Sequence, residues 1–293
     1  PRSKLPQNPV CLRGTGLALQ TVGEDTYEAY HQTRRGGLRI MQLTRSCWFV
    51  WIGVFAAGCG SSTSTTSLSP SLVEINSPSF PAPAISETQA MYAKFSNGVQ
   101  VVVGDERTTI RTKGIPNHLS PYFDTGHPLY EAPHAGMQIN PNAIIEQNNV
   151  FEIPTIPGYA NPSDTSLGPM GVAVNGVPLF NQYAAMRQPL TFEIESFDRF
   201  NGHPAPRGEY HYHLEPLWLT QASRASLIGV LLDGFPVYGP DDASGQIPAN
   251  LDVCHGHVAV TTDFPSGIYH YHVADDPPYI AGCFRGVPGT IRN

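Results

Sequence analysis

Two stretches in the C-terminal third of the chain read almost identically. Gly208-Glu-Tyr210-His211-Tyr212-His213 returns as Gly267-Ile-Tyr269-His270-Tyr271-His272, at an offset of 59 residues. Upstream of these, Gly171-Val-Ala-Val-Asn175-Gly176-Val-Pro178-Leu-Phe180 returns as Gly229-Val-Leu-Leu-Asp233-Gly234-Phe-Pro236-Val-Tyr238, at an offset of 58. Between them Asn201-Gly202-His203 is matched by His255-Gly256-His257. A chain that repeats three motifs in one order is constrained to fold twice into one supersecondary unit. The copies span about 170–216 and 228–275, and they are expected to face each other about a pseudo-twofold axis.

Each copy begins with an apolar run, an Asn-Gly or Asp-Gly pair and a second apolar run. Such pairs tolerate the positive φ of tight hairpins, so Asn175 and Asp233 read first as turn residues. Further strands are expected at Gln100–Val103, Val150–Ile153, Thr191–Glu195, Glu209–Leu214, Ser226–Leu232 and Ile268–Val273. A helix is expected only around Glu87–Tyr92. With 28 Gly and 28 Pro in 293 residues, long helices are disfavoured. The expected fold is mainly β, an antiparallel β-sandwich built from two related units with few helices.

In an extended strand successive side chains point to opposite faces. His211 and His213 then share one face and Tyr210 and Tyr212 the other; His270, His272, Tyr269 and Tyr271 follow suit. Alternate Cα atoms lie about 6.5–7 Å apart, which lets two imidazoles converge on one ion. Two such strands would bring four imidazoles together, with His203 and His257 close by. Imidazole-rich sites suit Cu, Zn, Fe or Ni, and in the absence of a firm Cys or Asp ligand the expected metal is Cu or Zn. The competing reading is an aromatic core with hydrogen-bonded structural histidines. Convergent neutral imidazoles without an ion make an awkward core, because each carries a donor and an acceptor to satisfy.

Other chemistry-bearing residues read more plainly. Glu131, His127, His134 and Met137 belong to a Pro/Gly-rich surface loop, Asp241-Asp242 and Asp275-Asp276 to solvated turns, and Trp218 to the core. The chain contains no Gly-x-Ser-x-Gly, P-loop, His-Glu-x-x-His or dinucleotide fingerprint.

The N-terminal part reads as processed. Met41-Gln-Leu-Thr-Arg45 starts a basic segment, an apolar run follows from Cys47 to Ala57, and small residues lead into Cys59. Small residues directly before a cysteine resemble the lipobox of bacterial lipoproteins. Residues 41–58 are thus expected to be a lipoprotein signal peptide, Cys59 the lipidated residue, 59–86 a Ser/Thr/Pro-rich linker and 1–40 an upstream extension outside the mature protein. The expected location is the cell envelope, periplasm-facing or on the outer surface, anchored to the membrane by lipid. Removing residues 1–58 leaves 10 basic and 21 acidic side chains, a net charge of −11. That balance draws cations and argues against nucleic acid as a partner. Of the cysteines, Cys254 and Cys283 then remain; in an oxidising envelope they suggest one disulfide, with soft metal ligation as the alternative.

The strings Tyr210-His-Tyr-His213, Asp233-Gly-Phe-Pro-Val-Tyr-Gly-Pro240, Tyr269-His-Tyr-His272 and Pro277-Pro-Tyr-Ile-Ala-Gly-Cys283 resemble the YHYH-domain family. Gly114-Ile-Pro-Asn-His118 and Asn175-Gly-Val-Pro-Leu-Phe-Asn181 are similar to its N-terminal elements. The resemblance covers about 98–293 and implies an exported domain, without an agreed biochemical activity. His118 becomes a possible additional ligand because it sits in a matching element, and 87–293 is expected to form the domain. Three functions follow: a lipid-anchored metal-binding protein using His203, His211, His213, His257, His270 and His272; a copper-dependent oxidoreductase or zinc hydrolase; or a non-catalytic surface interaction module.

Overall fold

The computed structural model describes residues 81–293. The expected extension, signal peptide, lipidated Cys59 and most of the linker lie outside the described residues. Among the described residues, no helix is long and apolar enough to cross a membrane.

Helix α1 runs over Ile85–Tyr92, two residues ahead of its expected start, and the Glu87 carboxylate accepts the Ala84 N–H at 2.9 Å. In chain order the strands are β1 Gln100–Val103, β2 Arg107–Thr112, β3 Asn149–Pro154, β4 Tyr159–Asp164, β5 Pro169–Ala173, β6 Pro178–Phe180 and β7 Gly202–Pro204. They continue as β8 Tyr210–Tyr212, β9 Leu227–Leu231, β10 Pro236–Tyr238, β11 Gly256–Ala259, β12 Ile268–His272, β13 Cys283–Gly286 and β14 Thr290–Arg292, with a one-turn helix α2 at Leu217–Thr220. The protein is mainly β, with layered, antiparallel-dominated sheets, as expected.

A four-stranded sheet has the order β1-β2-β3-β14, β4 pairs with β13, and an eight-stranded sheet has the order β11-β12-β10-β9-β5-β6-β8-β7. The duplication is written into that last order, because β5-β6-β8-β7 and β9-β10-β12-β11 are the same path traced outward from the centre. At the centre β5 and β9 pair antiparallel, Gly171 with Leu231, Val172 with Val230 and Ala173 with Gly229. The 58-residue offset maps this set of pairs onto itself, so the pseudo-twofold axis passes through the Val172–Val230 pair. Within each unit the inner hairpin turns at Asn175-Gly176 or Asp233-Gly234, both glycines having φ +86°. The motif strand then joins in parallel, β8 on β6 and β12 on β10.

Met91 and Tyr92 of α1, Ile110, Phe151 and Ile153 of the four-stranded sheet, Val172, Leu179 and Val230 of the eight-stranded sheet and Phe235 of the β9–β10 turn belong to one buried cluster. The two layers meet at the hairpin turns. Thr112 donates a hydrogen bond to the Gly176 carbonyl at 2.8 Å, and Pro154 backs Gly234. Tyr210, Tyr212, Tyr269 and Tyr271 are all at most 1% exposed. Each such ring removes roughly 150–250 Å² from water, which makes the motif tyrosines the largest apolar contributors of their strands.

Two expectations are corrected. Thr191–Glu195 is a turn leading into a 3-10 segment at Ile194–Ser196, closed by Ile194 N–H to Leu190 O and Ser196 N–H to Glu193 O. The alternation of Thr-Phe-Glu-Ile-Glu finds no neighbouring strand to cover it, and Phe192 stays 73% exposed. The second correction concerns the two His-x-His strands, which do not bring their four imidazoles together. Strands β6, β5, β9 and β10 stand between β8 and β12, and at about 4.8 Å per strand the separation is about 24 Å.

Candidate metal centres

Pairing in the outer hairpins, rather than between the two units, assembles the histidines. On β8 the alternation puts His211 and His213 on one face, and β7 sets His203 directly opposite His211. On β12 His270 and His272 share a face, and β11 sets His257 opposite His270. Two buried three-histidine clusters result, His203/His211/His213 and His257/His270/His272, with the potential ligand atoms of each within 4.8 Å of one another. All six histidines singled out from the sequence are used, three in each centre.

Every Nδ1 is taken by an oxygen. His211 donates to the Glu209 carbonyl at 3.0 Å and His270 to the Ile268 carbonyl at 2.9 Å. His213 donates to the Asn181 carbonyl at 2.5 Å and His272 to that of Gly239 at 2.7 Å. His203 donates to Ser196 Oγ at 2.7 Å, whose own proton goes to the Glu193 carbonyl, and His257 to Asn250 Oδ1 at 2.9 Å. A neutral imidazole that donates from Nδ1 carries its lone pair on Nε2. The Nε2 atoms then approach one another, His203 to His211 at 3.1 Å, His211 to His213 at 3.0 Å and His257 to His270 at 3.2 Å. The His272 Nε2 is buried with no hydrogen-bond partner. Facing lone pairs repel unless a proton or a cation stands between them.

Protons are disfavoured there. Burial, with a contribution from neighbouring imidazoles, pushes His203 and His270 down to about 3 and holds His211 well below the usual histidine range. Burial brings His213 and His272 down to about 4, and it lowers His257 as well. Three neutral, oriented donors of one kind are a set that could hold a borderline-soft metal ion, and oxygen acceptors on the far ring nitrogen fix the orientation of such imidazoles.

The tyrosine faces hold these strands rigid from the opposite side. Tyr210 donates to Asp198 at 2.6 Å and Tyr269 to Asp252 at 3.0 Å. Asp198 also receives the N–H groups of Phe200 and Gly202, and Asp252 those of Cys254 and Gly256. Each aspartate therefore ties the turn before the Gly-His pair to the motif strand. The glycine is required by that crossing: a Cβ on Gly202 would lie 2.2 Å from the Tyr210 hydroxyl, and one on Gly256 2.4 Å from that of Tyr269. Sequence reasoning missed both aspartates, although a signal was present, since each stands five residues before its Gly-His histidine.

His118 joins neither cluster. It lies on the tyrosine side, donates from Nδ1 to the Leu119 carbonyl at 2.9 Å and accepts the Tyr212 hydroxyl at Nε2, 2.8 Å away. Trp218 and Phe200 pack over its ring. Cys254 and Cys283 form a disulfide, which excludes them as thiolate ligands. Of the loop residues, Glu131 pairs with Arg199, and His134 reaches the Phe197 carbonyl. Asp241 pairs with Arg224, and Asp242 caps its own turn through Ser244.

Glu193 was not anticipated. The turn that replaces the expected strand delivers its Oε2 to 3.7 Å from His213 Nε2 and 3.8 Å from His203 Nε2, and partial burial raises its pKa. Beside it a cavity of about 180 Å³ opens onto His211 and His213, walled by Leu167, Phe180, Ala184, Ala185 and Pro206. Phe180 stacks on His211 with centroids 3.9 Å apart. At the second centre the space beside His270 and His272 is about 10 Å³, bounded by Tyr238, Asp242 and Thr261. There Tyr238 is tethered by donating to Asp263 at 2.9 Å.

A sequence model of the family described as YHYH protein matches residues 150–249 and 241–286, a span that contains both units and all six clustered histidines. No curated protein and no solved structure matches the chain.

Proposed function

The chain is a YHYH-domain protein, and we propose that it binds a transition metal, Cu or Zn, in two separate three-histidine centres. The observation that carries this reading is the orientation of the imidazoles. Six Nδ1 atoms are spent on oxygen acceptors, which leaves three converging, buried Nε2 lone pairs in each cluster. Donors 3.0–3.2 Å apart both reach a common point at about 2.1 Å when they subtend roughly 90–100° there, the usual metal–imidazole distance. A purely structural aromatic ladder would gain from turning some Nε2 atoms toward donors. Here His272 Nε2 has no partner at all.

The setting we propose is the cell envelope, with the protein exported and held to the membrane by a lipid on Cys59, as the N-terminal sequence suggests. A net charge of −11 after removal of residues 1–58 raises the local concentration of cations around such a domain.

Elemental analysis of protein purified without chelator and then loaded with Zn²⁺ or Cu²⁺ tests the reading. Two equivalents are expected per chain, one after His211→Gln with His213→Gln, and none after the same changes at His270 and His272 are added. Circular dichroism identifies the variants that remain folded. A metal content near zero in the wild type, or two equivalents retained by the folded quadruple variant, would overturn it.

A further inference from the structure

The two centres have matching sets of three histidines and differ in what stands at the mouth. An offset of 54 residues relates Ser196 to Asn250, Asp198 to Asp252 and His203 to His257, and it carries Glu193 onto Ile247. Ile247 has no donor atom and is 70% exposed. Glu193 places a carboxylate oxygen 3.7–3.8 Å from two of the three Nε2 atoms of its centre. Two atoms bound to one ion at about 2.1 Å lie roughly 3.0–4.2 Å apart as their angle widens from 90° to 180°. An ion touching His203 and His213 therefore has the carboxylate within coordinating reach.

The cavities differ in the same sense. About 180 Å³ adjoins the first centre and about 10 Å³ the second. About 10–15 Å³ of such space holds one water, so the first space accommodates a molecule of several heavy atoms and the second a single water at most. The first cavity is lined by Leu167, Phe180, Ala184, Ala185 and Pro206, with Glu193, His211, His213 and Tyr183 as its side chains bearing polar atoms.

We infer that the first centre is a mixed site of three histidines and one glutamate that keeps a coordination position open to a small exogenous ligand, with an oxygen or nitrogen donor head and a short apolar body, while the second is a closed three-imidazole site whose neighbouring carboxylate, Asp242, stays engaged in its own turn. The inference rests on the metal reading above. The donor head meets the ion beside Glu193, and the apolar body lies along Phe180 and the alanines. The bulky, tethered Tyr238 occupies the corresponding place in the second unit, where Phe180 has its sequence counterpart.

The full chain loaded with two equivalents of Co²⁺ and titrated with acetohydroxamate provides the test, read from the visible d–d bands. The expected result is a ligand-induced spectral change in one equivalent only, lost in His211→Gln and kept in His270→Gln. Glu193→Gln, nearly isosteric, is expected to weaken one cobalt equivalent at least tenfold and leave the other and the thermal midpoint unchanged. Two equivalents that bind cobalt but respond alike to acetohydroxamate, or a Glu193→Gln protein with both affinities intact, would overturn the inference while leaving the metal reading standing. No cobalt binding in the wild type would overturn both.

Discussion

In the first unit the buried Tyr212 hydroxyl donates to His118 and accepts from the Asn175 amide at 3.2 Å; in the second, Tyr271 donates to Asp233 at 2.6 Å and accepts from the Arg285 N–H at 2.8 Å. Both hydroxyls meet the equivalent hairpin residue, Asn175 or Asp233, and each takes its second partner, His118 or Arg285, from a different place in the chain. The first unit draws on the segment preceding the eight-stranded sheet and the second on β13 after it, where Asp233 also receives the N–H groups of Arg285 and Gly286 at 3.0 Å. Duplication thus preserved the strand pairings, the aspartate–tyrosine ties and the histidine clusters, and relaxed wherever a unit meets the rest of the chain. The same division runs through the histidine clusters: the imidazoles and their Nδ1 acceptors match one for one, and the mouths do not. What a repeat conserves is what its own hydrogen bonds enforce.

The largest expected effect tests whether the two clusters are equivalent in their buried chemistry. The unfolded chain protonates its histidines near 6.5, whereas His203 and His270 are held to about 3 and His213 and His272 to about 4. Depressed folded-state values mean that the unfolded state binds more protons between those limits. Stability is therefore full above about pH 6.5 and falls as the pH drops toward 4, by up to about 1.4 kcal/mol per pH unit for each histidine. Denaturant midpoints of the chelated protein at pH 7, 6 and 5 should show that slope, and His211→Gln with His213→Gln should flatten it about as much as the corresponding change at His270 and His272. A flat wild-type profile would mean that the clusters are open to water.

The second effect separates the units. Only the second carries a disulfide, Cys254–Cys283, with a sequence separation of 29; by the chain-entropy account its removal costs about 3–4 kcal/mol. Cys254→Ser with Cys283→Ser is expected to lower the thermal midpoint while hydrogen exchange in β7 and β8 stays near wild type. Equal loss of protection in both units would show that they unfold as one.

The smallest effect asks whether the two scaffolds are as alike as their hydrogen bonds. Gly202→Ala and Gly256→Ala each drive a methyl group into a tyrosine hydroxyl, and overpacking of this kind costs about 1–3 kcal/mol. Denaturant titration should give similar losses for the two. A loss at one position alone would break the equivalence of the aspartate–tyrosine ties.

Much of the site was legible because it depends on local periodicity. Alternation in Tyr-His-Tyr-His by itself puts imidazoles and phenols on opposite faces, and the recurring Gly-His motif supplies the third histidine of each cluster. Asp198 and Asp252 were legible in principle through their equal spacing. The assignment of His118 failed because motif membership says nothing about which side of a strand a residue from another segment reaches. Thr191–Glu195 was misread because alternation predicts a strand only where a neighbouring strand is free to pair with it.

Residue order alone specifies two copies of one β unit, paired histidines and paired tyrosines on opposite faces of each, and a Cys254–Cys283 pair free to join. Those properties follow from strand periodicity and composition, which act over a few residues. Long-range packing chose the junction of the copies, through β5 and β9 at the centre of one sheet. That choice places the His-x-His strands far apart and makes two three-histidine centres where one larger cluster was expected. It also decided that Glu193 comes within 3.8 Å of two imidazoles at one mouth, while Asp242 borders the other and turns its carboxylate to Ser244. Strand order and loop docking are settled by burial of the shared core across the whole domain, and no local pattern encodes them.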